Sequence, residues 1–202
     1  QFASRTLCRD DSVVFAAVSN DATALQYASH DLWSRRDIVL AAVRGSWDAL
    51  RLVPSALKAD AEIALAALRN DARAFEFLSP VLLESPEFML AAAQESGLAL
   101  QYASDKLRAT REIVHAAVAK DGYALQFASD ELRASRDIVL EAVKSAPEML
   151  AVAAEPLRAR AGFVLAAARA NAASLEYAPA ELLGDRHFAL AAAKISPEAL
   201  RF

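Results

Sequence analysis

The sequence predicts an all-α solenoid of about eight tandem 25-residue repeats, each with two short helices and one helical turn. The first observation behind this is the period itself. Leu7, Leu32, Leu57, Leu82, Leu107, Leu132, Leu157 and Leu182 occupy one position of it, and Ala17, Ala42, Ala67, Ala92, Ala117, Ala142, Ala167 and Ala192 another, with no insertion or deletion between them. A fixed spacing of this size marks a repeat architecture, in which each unit packs on its neighbours. The second observation is that helix-starting residues flank the apolar run in most repeats. The third separates the helical reading from a β-solenoid or leucine-rich repeat, in which Ile138-Val139-Leu140 would be a strand: alanines recur in the middle of the run, and no asparagine ladder is present.

Residues 125–149, LQFASDELRASRDIVLEAVKSAPEM, show the elements in order. Ser135 precedes the first helix, and its equivalents are Asp10, Asp60, Ser85, Thr110 and Asp185, with Arg35 and Arg160 as exceptions. Such side chains accept hydrogen bonds from the first free N–H groups of a helix. Pro86 follows Ser85, where a missing N–H costs nothing. Acids in the first turn (Asp37, Glu62, Glu87, Glu112, Asp137) and bases near the end (Arg44, Arg69, Lys144, Arg169, Lys194) suit the helix dipole. The expected helix has about nine residues and is roughly 14 Å long. Its apolar set, Ile138, Val139, Leu140, Ala142 and Val143, predicts burial nearly all round. The recurring alanine predicts close helix approach, toward the short end of the usual ~8–10 Å. Leu132 and Phe127 are expected to fill the gap between units.

A second set of starts follows at Asp21, Ser46, Asp71, Ser96, Asp121, Asn171 and Ser196, with Ala146 as the exception. Pro147 and Pro197 come next, at a first helical position. The second helix runs through motifs such as Ala124-Leu125-Gln126-Phe127-Ala128. Ser129, like Ser4, Ser29, Ser79 and Ser104, then opens a short turn ending near Leu132. Pro54, Pro80, Pro156 and Pro179 in this stretch stop the second helix from continuing.

The motif L-Q-[FY]-A-S-x-x-L-R-x-x-R-[DE]-I-V-L-x-A-V is clearest at residues 25–43, 100–118 and 125–143, and weaker at 50–68 and 150–168. It resembles the repeat family catalogued as domain of unknown function 4116, and the resemblance covers nearly the whole chain. The resemblance implies a helical array, of a kind found in algal and other protist proteins and in some bacterial ones. It implies no activity and no catalytic residues.

Composition narrows the function classes. Net charge is −4, so nothing global attracts nucleic acid or anionic lipid. The longest apolar stretch, residues 161–168, is far short of the ~18–20 residues a membrane span requires. The single cysteine, Cys8, excludes an internal disulfide framework and suits an intracellular reducing compartment better than a secreted one. The chain starts at Gln1 and stops at Phe202, both in mid-repeat and without the polar caps that solenoids need. The expectation is one array over residues 1–202, cut from a longer one. The five glycines are scattered, so no phosphate-cradling loop is expected. His30, His115 and His187 lie about three repeats apart, too far for a shared metal or triad. Ser129 and Asp130 recur in several repeats as helix starts, so no catalytic, cofactor or metal residue is expected.

Departures from the repeat supply the candidate sites. His115 replaces a usual leucine and Glu141 a usual alanine, 26 residues apart. They could form an inter-repeat contact, or both could reach the surface at a helix edge. Arg108, Arg111, Arg133 and Arg136 line one edge, as a ladder for phosphates or an acidic protein surface, or as partners of Asp105, Glu112, Asp130, Glu131 and Asp137. No aromatic column is expected beside them to stack bases. Trp33, Leu83 and Leu183 interrupt a Lys/Arg column, and Trp47, Leu98 and Tyr123 stand where second helices begin with small or charged residues. Apolar anchors of this type are what interfaces use. The expected function is a non-enzymatic scaffold that binds another protein or large assembly, without nucleic acid. The alternatives are an anion- or RNA-binding solenoid, and the regulatory arm of an enzyme whose catalytic domain lies elsewhere.

Overall fold

Every 25 residues the chain enters an α-helix directly after the residue the sequence marks for it. The computed structural model describes residue 4 and residues 6–201; the chain ends, Gln1 and Phe202, lie outside the described residues. The long helices are α1 (Asp11–Asn20), α2 (Arg36–Gly45), α3 (Ala61–Leu68), α4 (Pro86–Glu95), α5 (Arg111–Lys120), α6 (Arg136–Ser145), α7 (Ala161–Ala170) and α8 (Arg186–Ile195). Among the described residues there is no strand.

Carboxylates make the strongest starts. Asp60 accepts from the amides of Glu62 at 2.9 Å and Ile63 at 3.1 Å, and Asp185 from His187 at 2.7 Å and Phe188 at 2.9 Å. Ser85 caps through Phe88 N at 3.2 Å. Ser135 and Thr110 hold the start position without capping. The Ser135 hydroxyl donates instead to Asp137 at 2.7 Å, and that of Thr110 to the Lys106 carbonyl at 3.0 Å.

The second segment differs in kind from the sequence expectation. At Ala22–Tyr27, Trp47–Arg51, Ala72–Phe77, Gly122–Phe127, Pro147–Leu150 and Ala172–Tyr177 it is a 3₁₀ helix, and only at Ala99–Tyr102 an α-helical turn. Segments this short gain little from the wider α-helical ring, and 3₁₀ geometry is common in such pieces. The third segment is a single turn, such as Pro80–Leu83 or Asp130–Arg133. Pro80 and Pro156 sit in its first positions and so start it.

Backbone hydrogen bonds tie consecutive turns: Ser29 N to Cys8 O at 2.8 Å, Ser79 N to Lys58 O at 3.1 Å, Ser129 N to Arg108 O at 3.0 Å, and Ala154 N to Arg133 O at 3.0 Å. Pro54 and Pro179 occupy the donor position of this series and have no N–H to give.

The chain divides into two compact units at the Tyr102–Ala103 boundary. In the first, α1 packs on α2, α2 on α3 and α3 on α4; in the second, α5 packs on α6, α6 on α7 and α7 on α8. Helices α2 to α7 each bury two adjacent stripes rather than the whole circumference. One holds Ile38 and Ala42, Ile63 and Ala67, or Ile138 and Ala142; the other holds Val39 and Val43, Ala64 and Leu68, or Val139 and Val143, all buried. Leu140 is only half-buried, and Arg136, Asp137 and Lys144 face water. A helix sandwiched between two like neighbours needs two contact lines, and its remaining side stays open. The 3₁₀ segments add a buried column: Leu25, Leu50, Phe75 and Leu100 in the first unit, Leu125, Leu150 and Leu175 in the second. Phe75 stacks on Tyr102, with ring centroids 4.7 Å apart.

Candidate interaction surface

The apolar departures from the repeat divide into those that fold inward and those left open. Trp33 is half-buried, its indole N–H donating to the Leu25 carbonyl at 3.0 Å, with the His30 ring edge-on at 4.6 Å. Leu83 and Leu183 are half-buried in their turns. Trp47 leans on Phe77 at 5.8 Å. Leu98 and Tyr123 remain exposed, at 39% and 46%. The Tyr123 phenol donates to the Glu148 carboxylate of the next repeat, which raises the Tyr123 pKa and lowers that of Glu148.

A cluster around Trp47 escaped the sequence reading. Arg73 lies 4.8 Å from the Trp47 ring centre, while Arg51 lies 5.5 Å and Lys58 6.0 Å from that of Phe77. Cations over aromatic faces are attracted by the ring quadrupole. The signal was weak because Phe77 sits in a column that is aromatic in most repeats, and Arg51 and Arg73 stand at positions with no fixed residue type. Val81, 72% exposed, was also missed; it occupies a turn position that is polar in several other repeats.

Three of the four arginines of this edge meet acids. Arg111 pairs with Asp137 of the next repeat and donates to Ser135 Oγ at 3.1 Å. Arg133 pairs with Asp130 in its own turn, and Arg108 approaches Asp105 at 4.0 Å. Arg136 lies 5.8 Å from the Phe163 ring centre. A cleft of about 320 Å³ includes Arg108, Arg133 and one aromatic, Phe127. His115 and Glu141 do not pair: His115 is exposed, and Glu141 meets Lys144 at 2.5 Å on its own helix. The edge alternative holds for His115, while Glu141 is half-buried.

Similar pairs join other repeats in the first unit. Arg36 reaches Asp60 at 2.7 Å and Glu62 at 2.6 Å, and Arg69 reaches Glu95 at 2.8 Å. Asn70 donates its side-chain amide to Val43 O at 2.9 Å and Ala66 O at 3.1 Å, joining the ends of α2 and α3. Among the described residues no group of three or more His, Cys, Asp or Glu could hold a metal ion, and no helix is long and apolar enough to cross a membrane.

Tandem helical units stacked through like faces define an α-solenoid repeat protein. The sequence profile of the family described as Domain of unknown function (DUF4116) matches overlapping segments 10–58, 35–83, 60–108, 85–118 and 110–158, and the chain belongs to that family. No curated protein and no solved structure matches the chain.

Proposed function

We propose that this chain is a non-enzymatic scaffold that binds another protein through exposed side chains at the starts of its second segments, as an accessory subunit of a larger assembly. One observation carries the reading. Stacking demands the same residue type in every repeat, and the second position of these segments is released from that demand. It holds Thr23, Asp48, Arg73, Leu98, Tyr123, Glu148 and Ala173, all exposed but the half-buried Glu148. Two positions away, the column from Leu25 to Leu175 is apolar throughout and buried. Tyr123 is tied to Glu148 of the next repeat, but packing gives no reason for an exposed leucine at 98. Partner binding does, since large apolar and aromatic side chains anchor interfaces. The acids beside the arginine edge favour this reading over a phosphate ladder, because they neutralise it locally.

Cross-linking of the protein isolated gently from its source tests this. Links from Lys58, Lys106, Lys120, Lys144 or Lys194 to one other polypeptide are expected. They should disappear in the double variant Leu98→Asp/Tyr123→Asp while its melting temperature stays unchanged. Links that persist in the double variant, or nuclease-sensitive nucleic acid in place of a polypeptide, would overturn the proposal.

A further inference from the structure

In the first unit the tie between consecutive repeats changes in kind at one joint. Between the repeats of α1 and α2 it is the backbone bond from Ser29 N to Cys8 O at 2.8 Å, and between those of α3 and α4 the bond from Ser79 N to Lys58 O at 3.1 Å. An ion pair of Arg35 with Asp11 adds to the first of these. Between the repeats of α2 and α3 the donor position is Pro54, which has no N–H for the Trp33 carbonyl. Ion pairs stand in for the missing bond. Arg36, at the start of α2, reaches Asp60 at 2.7 Å and Glu62 at 2.6 Å at the start of α3, and Arg44 reaches Glu62 at 3.4 Å. At the far ends of the same two helices the tie is uncharged, the Asn70 amide donating to Val43 O at 2.9 Å.

We infer that the α2–α3 joint is a hinge set by ionic strength, held shut at the helix starts by the Arg36 pairs and pivoting at Asn70. Arg36, Arg44 and Glu62 are 51%, 65% and 52% exposed, so dissolved salt reaches their charges. Salt screens exposed pairs, the Debye length falling from about 8 Å at physiological ionic strength to about 3 Å at 1 M. A backbone bond between uncharged groups is not screened in this way. The α1–α2 and α3–α4 joints therefore stay shut under conditions that loosen the joint at Pro54, and the Asn70 bond persists as the pivot. The hinge lies beneath a surface cluster. Trp47 belongs to the repeat of α2, while Phe77, 5.8 Å away, and Arg73, 4.8 Å from the Trp47 ring centre, belong to that of α3. Opening the joint changes the spacing of these rings and cations on the second segments.

Hydrogen exchange of the full chain, read by mass spectrometry in low salt and in about 1 M sodium chloride, tests the inference. Backbone N–H groups of residues 55–65 should exchange several-fold faster in high salt, and those of residues 79–90 at the α3–α4 joint at an unchanged rate. Arg36→Gln should give fast exchange in residues 55–65 already in low salt, while Asp60 still caps α3 through the Glu62 and Ile63 amides. Pro54→Ser installs the residue that stands at 29 and 79. It should abolish the salt response, and combined with Arg36→Gln it should slow the exchange again. Salt responses of equal size at the two joints would overturn the inference. So would low-salt exchange in Arg36→Gln as slow as in wild type, or an undiminished salt response in folded Pro54→Ser.

Discussion

Ser174 shows what the repeat costs when a residue departs from it. Its side chain is fully buried with no partner for the hydroxyl, at a position filled by Ala49, Ala74, Ala99 and Ala124 in other repeats. A buried hydroxyl without a hydrogen bond loses its hydration and gains nothing in return. Ser174→Ala should raise stability by about 1 kcal/mol, read from urea denaturation. Gly122 is the opposite case, a departure the packing requires. A methyl group there would lie 2.3 Å from Ala142 O and 2.6 Å from Ser145 Oγ. Its backbone conformation is open to any residue, so space alone selects glycine. Its N–H also donates to Ser145 Oγ at 3.0 Å. Gly122→Ala should destabilise by roughly 1–3 kcal/mol through overpacking; an unchanged denaturation midpoint would show that the two repeats can part without cost. Trp33 and His115 show the limit of reading single residues. Both depart from the repeat, but one folds its ring against its own segment and the other points to water, and composition does not separate these outcomes.

At the scale of the helix, the recurring alanine separates interior from edge. Ala142 is fully buried between α6 and its neighbours in the second unit, whereas Ala17 on α1 is exposed. Ala142→Leu should cost about 1–3 kcal/mol, because the added atoms have no room. Ala17→Leu should change stability by less than about 0.5 kcal/mol. Equal effects in thermal melts would show that burial of the alanine does not set the cost. Helix starts predict the response to acid. The Asp60 carboxyl is held below its ordinary 3.8 by the Arg36 guanidinium and then by the Ile63 and Glu62 amides; for Asp185 the Phe188 and His187 amides do the same, and for Asp10 the Ser12 hydroxyl leads. A carboxylate whose pKa is lower folded than unfolded stabilises the fold above its unfolded pKa, and that stabilisation is lost as pH falls through the folded value. The melting temperature should be flat near neutrality and fall below pH 3.8. Asp60→Asn keeps a cap acceptor but cannot titrate. Its melting temperature should start lower, for want of the Arg36 pair, and decline less steeply. A decline as steep as that of wild type would remove Asp60 from the account.

At the scale of the molecule, one 25-residue period governs the chain. The all-α repeat architecture is legible in the chain itself, because one packing problem is posed in every unit and answered with the same leucine and alanine. The starts of the long helices are legible for a similar reason, since free N–H groups need an acceptor at a defined place. The 3₁₀ form of the second segment is not, because the same caps and apolar spacing serve either helix over so few residues. Nor is the fate of the apolar departures, for which Trp33, Trp47, Leu98 and Tyr123 look alike in the chain. Periodicity alone is enough to set which residues stack, since stacking is a short-range demand repeated in every unit. Whether a given departure is covered, paired or left open depends on neighbours brought in from the adjacent repeat. Only packing in three dimensions places Leu98 and Tyr123 in solvent and Arg111 against Asp137.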